Sequence, residues 1–547
     1  MWQPASISTT CITLLRSRNF HSSTQTRRLL SNALKKQSFF QKRSKHHVAI
    51  VGAGPAGFYT ASKLLDKRPD VLIDLFEKLP IPYGLVRFGV APDHPEVKSC
   101  SHKFDQVGMD PRVRYFGNVK VGLQGLPVEK LSEVYDAIVF SYGTSVDKKL
   151  GIPGENGFRH SKLGHNLGGI HSGRDFVNFY NGYPFVQDFF DTNFFASGVT
   201  NRAAVFGMGN VALDIARIML LDIETLSKTD ITNRAIEVLS NSKINHVDII
   251  GRRGPIQSAF TTKELRELLT LPNVRLKIDS TLFKNTVSTE QSKEAIRKSR
   301  PLKRKIELIS KYIDEEIPNS PVERLQDSME FSNSSEGKSW SLRFFESPLE
   351  ALHPPTLDLI TDTFSSTQTI RLGKNSLVYD SDNKASIVST GHSIDVSYDI
   401  AFRSVGYESR PIPGVPFNEK KNIIPNASGR ILNPDSDKII PKLYVSGWLK
   451  TGPNGVIANT MQNAFETANA ISMDFEKSDL NNLKYVPQKN TIEKVDNTLK
   501  LLGAFNNRVD YKSWMKIQEY EDSLGLKVGK PREKITLITE MLKIANS

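Results

Sequence analysis

Short apolar runs that end on glycine recur along this chain, in two sets. His47-Val-Ala-Ile-Val51 leads into Gly52-Ala-Gly-Pro-Ala-Gly57, residues 56–67 read as a helix, and Val71-Leu-Ile-Asp-Leu-Phe76 is a second strand ending at Glu77. A further strand, Ala137-Ile-Val-Phe140, closes on Ser141-Tyr142-Gly143. The pattern then repeats. Ala203-Ala-Val-Phe206 leads into Gly207-Met-Gly-Asn-Val-Ala212, a helix follows, and Val247-Asp-Ile-Ile250 leads into Gly251-Arg-Arg-Gly254. Ile400-Ala-Phe402 with Arg403-Ser-Val-Gly406 echoes 137–143. Two strand–glycine–helix–strand units predict an α/β fold with two Rossmann-like, three-layer dinucleotide-binding domains.

Later in the chain, Leu443-Tyr-Val-Ser446 is a strand, Gly447-Trp448 a turn, and Gly455-Val-Ile-Ala458 opens a long helix. Packed beside the first unit, this segment makes the first domain discontinuous, with residues 47–148 and 391–547 flanking an inserted second domain, 149–390. Residues 286–295 and 318–340 are polar and read as loops, and 478–547 show no usable periodicity.

Composition changes this picture at one end only. An apolar fraction of 39% and a charged fraction of 24% are ordinary for a globular chain. No apolar run approaches the roughly 20 residues that cross a bilayer. The net charge of +13 suggests nucleic acid until its location is checked. Residues 1–46 hold nine of the cations (Arg16, Arg18, Arg27, Arg28, Lys35, Lys36, Lys42, Arg43, Lys45) and no acid. The remainder carries only about +4, too little for binding that depends on phosphate neutralisation. Rich in Ser and Thr, with Leu and Phe between the charges, 1–46 has the composition of a mitochondrial transit peptide. A basic tail for nucleic acid is the other reading. Of the two cysteines, Cys11 lies in that leader. Cys100 alone can form no intrachain disulfide, CxxC pair or cysteine-ligated cluster, so redox chemistry must come from a bound organic cofactor or a partner.

In the first unit, Gly52 and Gly54 permit a tight turn and close approach to a pyrophosphate, and Gly57 lets the helix pack on the strand. The helix N-terminus offers free N–H groups to the anion. Glu77, 20 residues beyond Gly57, sits where a carboxylate accepts hydrogen bonds from a ribose diol. The second unit has the GxGxxA version, Gly207, Gly209 and Ala212, and offers Arg252 and Arg253 where the first has Glu77. A guanidinium pair holds the 2′-phosphate of NADP through charge-assisted bonds, where a carboxylate would repel it. An acid-tipped and an arginine-tipped unit together suggest FAD held permanently and NADPH visiting. Hydride would pass from nicotinamide C4 to flavin N5, a step that depends on proximity and orientation.

The stretch Pro82-Tyr-Gly-Leu-Val-Arg-Phe-Gly-Val-Ala-Pro-Asp-His-Pro-Glu-Val-Lys98 is too particular for general physics to explain. With GAGPAGFYTA (52–61), GMGNVALDIAR (207–217), RRGP (252–255) and GWLKTGPNGVIANTM (447–461), it closely resembles the NADPH:adrenodoxin oxidoreductase family, ferredoxin–NADP reductases of mitochondria. The resemblance runs from about residue 47 to Lys530-Pro-Arg-Glu-Lys534. The cysteine clusters of the related small subunits of glutamate synthase are absent. The resemblance implies FAD contacts at Ala56, Glu77, Leu85, Val121, Trp448, Gly455, Val456 and Ile457. It implies NADP contacts at Met208, Gly209, Asn210, Val211, Arg252, Arg253, Glu264 and Gly455. Leu85, Val121 and Glu264 rest on it alone. A helix N-terminus at 455–457 beside the isoalloxazine would stabilise negative charge on reduced flavin. His94 and Asp214 correspond to polar residues near the flavin, expected to form a hydrogen-bonded link that tunes or relays; a structural bond between domains is the plainer alternative.

Residues 297–305 hold six cations: Arg297, Lys298, Arg300, Lys303, Arg304 and Lys305. Such a run is often a solvated helix face. The resemblance implies that an acidic 2Fe–2S ferredoxin docks here, chiefly on Arg297, Arg300, Lys303 and Arg304, with Pro301 opening a helix that carries the charges. Leu302 stands where the family often has a further Arg. A mitochondrial monomer follows from the resemblance, on the matrix side, with peripheral inner-membrane association left open. Competing readings are an NADPH flavoprotein that reduces a quinone or oxygen, and a flavin-containing scaffold or nucleic-acid subunit without turnover. The identity of the ferredoxin and the destination of its electrons (iron–sulfur assembly, haem modification or a monooxygenase) are not written in the sequence.

Overall fold

The computed structural model describes residues 46–159, 166–167, 169–191, 199–314, 322–324, 337–352, 357–358, 363–364, 367–380, 385–453, 455, 457–481 and 491–547. The expected leader thus lies outside the described residues but for His46, as does most of 318–340.

Strand β1 (His46–Val51), helix α1 (Pro55–Lys67), β2 (Val71–Phe76), β3 (Val113–Phe116) and β4 (Ala137–Phe140) follow the glycine-punctuated pattern. The chain then builds a second sheet from β5 (Ile170–Ser172), β6 (Arg202–Phe206), α2 (Asn210–Leu220), β7 (His246–Gly251), α3 (Thr262–Leu269), β8 (Val274–Ile278), α4 (Glu290–Lys298), α5 (Arg300–Asp314), β9 (Val322–Arg324) and β10 (Lys338–Phe344). Strands β11 (Glu346–Ala351), β12 (Gln368–Tyr379) and β13 (Ala385–Tyr398) form an antiparallel trio before β14 (Ile400–Arg403) rejoins the second sheet. Last come β15 (Asn426–Ala427), β16 (Arg430–Leu432), β17 (Ile439–Val445), α6 (Ile457–Asn481), α7 (Tyr511–Lys527) and α8 (Ile538–Asn546).

The first sheet runs β15-β16-β17-β4-β1-β2-β3, parallel from β17 onward. The second runs β9-β8-β10-β7-β6-β14-β5, parallel throughout. The first contains the doubly wound order third-second-first-fourth (β3-β2-β1-β4), the second the counterpart β10-β7-β6-β14 with β8 and β9 lying beyond β10, and the second is inserted between β4 and β15 of the first. In such sheets the crevice lies at the carboxyl ends of the strands where the order reverses, here beside β1 and β4 and beside β6 and β14. Strands buried on both faces explain the continuous apolar runs. Val48, Ile50, Ile73 and Leu75 face one core, while Ala49, Val51, Phe76 and Ile138 face another.

Two sequence expectations are corrected. Ile400–Arg403 falls beyond the boundary drawn at 390, yet it pairs with β6 and β5 in the second sheet. The free edge of β6 accepts it, so the chain leaves this sheet only after Arg403. Residues 286–295 are not loop but lie in α4 and a preceding helix, Ser280–Ser288. Asp279 and Thr289 cap them by accepting from the N–H groups of Leu282 (2.8 Å) and Ser292 (3.3 Å). The aperiodic C-terminal region forms α7 and α8, which bury Trp514, Ile517 and Met541 against the first core. Among the described residues no helix is long and apolar enough to cross a membrane.

Each sheet also hides a carboxylate in its second strand. Asp74, fully buried in β2, accepts from Arg114 Nε and Nη2 (both 2.6 Å) and Tyr135 Oη (2.6 Å) and lies 3.0 Å from His47 Nε2. Asp248, fully buried in β7, meets Arg202 (2.5 Å), His246 (3.0 Å) and the Ser341 hydroxyl. Burial pushes the Asp74 carboxyl up, but Arg114 and His47 outweigh it and hold the group well below its ordinary 3.8. Its folded value being depressed, Asp74 contributes stability above pH 3.8 that is lost as pH falls toward the folded value. Asp74→Ala leaves Arg114 buried without its main partner, with an expected loss of about 3–5 kcal/mol at neutral pH. Denaturant unfolding at pH 7 and at about pH 2 checks this: the gap from wild type narrows once the pH falls below 3.8.

Candidate active site

At the end of β1, Gly52 has φ +108°, and a Cβ there would lie 2.6 Å from Tyr142 Cα and 2.7 Å from the Ser141 carbonyl carbon. A Cβ on Gly57 would lie 2.1 Å from Gly52 O. Both glycines are therefore demanded by backbone contact with the β4 exit and within the loop. Gly54 differs: a Cβ would meet no atom within 4 Å. It is the N-cap of α1, with no side chain bonded to the first turn. Open space in front of an uncapped helix N-terminus is the shape a pyrophosphate fills.

Glu77 stands at the tip of β2, tied to this loop. Ala53 N–H donates to its Oε2 (3.0 Å) and Leu79 N–H to Oε1 (3.2 Å), leaving lone pairs for a diol. Burial pushes its carboxyl up, against these two bonds. The other residues expected at FAD gather here. Tyr83 N–H donates to Ala53 O (2.8 Å), which sets Leu85 beside the loop, and Val119 N–H donates to Glu77 O (2.9 Å), which brings up Val121. Gly447 approaches so closely that a Cβ would lie 2.6 Å from that of Ala56. Trp448 follows, its Nε1–H buried without a hydrogen-bond partner among the described residues. Gly455 (φ +86°) and Ile457 lead into α6, which packs along α1. Val456 lies outside the described residues. The open cradle at Gly54 and the unpartnered indole N–H both fit a bound dinucleotide.

The second loop repeats this geometry. Gly207 has φ +143°, and a Cβ would lie 2.1 Å from Ser404 O. Gly209, the uncapped N-cap of α2, again has nothing within 4 Å of a Cβ, and Ala212 is fully buried beneath it. Met208 O accepts from Ala259 N–H (2.7 Å) and Phe260 N–H (3.0 Å), Asn210 Oδ1 accepts from Thr261 N–H (2.8 Å), and Val211 packs on the core. These bonds bring the start of α3, with Glu264, to the loop. Glu264 Oε2 is buried without a hydrogen-bond partner among the described residues. Arg252 and Arg253 follow β7 directly, both exposed. Their carbonyls are bonded by Asn375 Nδ2 (3.2 Å) and Phe345 N–H (3.3 Å), so the backbone is fixed while the guanidinium groups face solvent.

His94 and Asp214 do not meet. The buried His94 places Nε2 2.7 Å from Glu267 Oε2 on α3. Asp214 lies 2.8 Å from Arg217 Nη1, and Arg217 also contacts Glu267 (3.5 Å) and chelates Asp93 (2.7 and 3.0 Å). Glu267 and Arg217 therefore lie between them, as ion-pair contacts rather than as a direct hydrogen bond. Burial pushes the Asp214 carboxyl up, with Arg217 opposing. Glu267 carried no motif and was missed, as was Tyr407, whose ring stacks on Trp448 (5.9 Å, 20°).

Of the basic run, Arg297, Arg300, Lys303 and Arg304 are exposed on α4 and α5. Lys298 pairs with Glu294 (2.6 Å), and Lys305 is buried, donating to Ser258 O (2.5 Å). Leu302 packs against the second core. Arg300 and Arg304 line a groove of about 1020 Å³ with Lys263, Arg266, Lys311 and Phe260.

Two glycine cradles in one chain, one tipped by a carboxylate and one by arginines, define a two-dinucleotide oxidoreductase. The chain matches no protein-family model. It is 40% identical over 506 residues to NADPH:adrenodoxin oxidoreductase of Salvelinus fontinalis, covering 92% of each chain. To the human protein of that name it is 38% identical over 509 residues, covering 92% of this chain and 93% of that one. Among solved structures, FprA of Mycobacterium tuberculosis in complex with NADPH superposes with a TM-score of 0.76 at 35% identity, over 92% of this chain and all of the other. The chain belongs to the NADPH:adrenodoxin oxidoreductase family.

Proposed function

We propose that the chain oxidises NADPH through bound FAD and delivers electrons singly to an acidic 2Fe–2S ferredoxin in the mitochondrion. The observation that carries this reading is the pairing of two unlike cradles, Glu77 at one and Arg252 with Arg253 at the other, in one chain with an exposed cationic groove. Bound in the first cradle, FAD supplies the conversion between two-electron and one-electron transfer. The chain's own residues bind and orient. The loop at Gly52, Gly54 and Gly57 and the α1 N-terminus receive the pyrophosphate, and Glu77 accepts from ribose hydroxyls. Gly207, Gly209 and the α2 N-terminus do the same for NADPH, with Arg252 and Arg253 on the 2′-phosphate. The α6 N-terminus, at Gly455 and Ile457, offers positive potential. His94, Glu267 and Arg217 hold α3 against the 82–98 stretch. The acid-free leader and the mitochondrial relatives support the location.

For the partner, Arg300, Lys303 and Arg304 present exposed charge to acidic side chains, an interaction that raises the on-rate and weakens with salt. Replacing all three by Glu is expected to lower ferredoxin-dependent cytochrome c reduction by about 100-fold, since like charges facing one another cost several kcal/mol. NADPH reduction of ferricyanide stays near wild type. Unchanged ferredoxin kinetics would remove this groove from the function, and turnover with a quinone but no ferredoxin would favour the small-acceptor reading.

A further inference from the structure

The 82–98 stretch is more than a wall of the first cradle. Four of its side chains reach into the second unit: Asp93 to Arg217, His94 to Glu267, Glu96 to Lys263 (2.7 Å) and Lys98 to Asp230 (2.6 Å). A second first-unit segment arrives at the same place from the far end of the chain. Lys530 donates to Ile231 O and to Asn233 Oδ1 (3.1 Å), Asn233 N–H donates to Glu533 (3.0 Å), and Lys534 meets Asn181 Oδ1 (3.3 Å) and Asp230 Oδ2 (3.1 Å). This strap is anchored to the first unit, because Glu521 of α7 receives Ile535 N–H (2.9 Å) and a bidentate pair from Arg87 (2.9 and 2.5 Å).

Asp230 is where the two converge: Lys98 holds one carboxylate oxygen and Lys534 the other. Lys534 is 1% exposed and Lys98 15%, and Asp230 is the carboxylate that both contact. Elsewhere the two units meet at a short ribbon in which Tyr407 pairs with Asp147 and Glu408 with Val146, and at Phe88, whose ring meets Tyr183 edge-on (5.1 Å) and whose carbonyl accepts from Asn181 Nδ2 (3.3 Å). A covalent ribbon on its own permits rotation. We propose that Asp230, with Lys98 and Lys534, is a pin that sets the rotation of the second unit against the first, making these three positioning residues for the transfer from NADPH to FAD. None of them lies in either cradle. The inference rests on that transfer, in which a displacement of about 1 Å costs on the order of 100-fold in rate.

Asp230→Asn keeps the shape and leaves two buried amino groups without the carboxylate they share. In the FAD-loaded protein, the limiting rate of flavin reduction at saturating NADPH is expected to fall about tenfold or more, with the NADPH concentration at half-saturation within about twofold. FAD content stays at wild type, and amide exchange at 230–233 and 528–536 accelerates. Asp230→Glu restores most of the rate. Lys98→Met, which leaves the Asp230–Lys534 pair intact, gives a smaller loss in the same sense and serves if Asp230→Asn does not fold. Unchanged limiting rates and unchanged exchange in both Asp230→Asn and Lys98→Met overturn the pin. A wild-type protein that NADPH does not bleach overturns the transfer instead, and the exchange comparison then still tests the joint.

Discussion

Gly54→Ala yields a protein that folds as stably as wild type and carries no flavin. The backbone at Gly54 (φ −87°, ψ −173°) is one that any residue adopts, and the added methyl meets no protein atom within 4 Å. It would instead occupy the space in front of the α1 N-terminus, where the pyrophosphate must come close to the N–H groups. Gly52→Ala behaves differently. Its Cβ would sit 2.6 Å from backbone atoms of Tyr142, which cannot rotate away, at a φ of +108° that disfavours a side chain. Overpacking and backbone strain together amount to about 2–6 kcal/mol, so this variant loses both flavin and stability. Visible absorbance of the purified proteins and their thermal unfolding distinguish the two. A yellow Gly54→Ala protein would remove the first cradle from the mechanism.

Alanine at both Arg252 and Arg253 is expected to lower kcat/KM for NADPH by about 10²–10⁴-fold while leaving the much smaller NADH activity unchanged. Two charge-assisted bonds to the 2′-phosphate contribute roughly 1.5–3 kcal/mol each, and NADH has no phosphate to lose them. Because both side chains are exposed, stability should change by no more than about 0.5 kcal/mol per site. Steady-state kinetics with the two nucleotides measure the ratio directly. An unaltered preference for NADPH would mean that the phosphate is read elsewhere.

The strands and both glycine loops were legible because their causes are local. A run such as Val71–Phe76 is apolar at nearly every position since neighbours cover both faces of the sheet, and Gly52 and Gly207 occupy backbone conformations that other residues avoid. Glu77 and the arginine pair were legible for a related reason: each follows a strand directly, so its distance along the chain fixes its place at the crevice. The helices at 280–298 were hidden by polar composition, since only Phe283 and Ser292 are buried there and the capping residues carry the signal.

What the sequence determined by itself, then, was the strands that flank the two nucleotide loops, the loops themselves and the sign of charge at each tip, all governed by residues within a few positions of one another. Only the tertiary structure decided which sheet would take Ile400–Arg403, that His94 would bond to Glu267 rather than to Asp214, and that Lys98 and Lys534 would share Asp230. An open strand edge or a buried charge selects its partner by proximity in space and by the desolvation it must offset. When 436 positions separate the two cations, that proximity exists only once both sheets are in place.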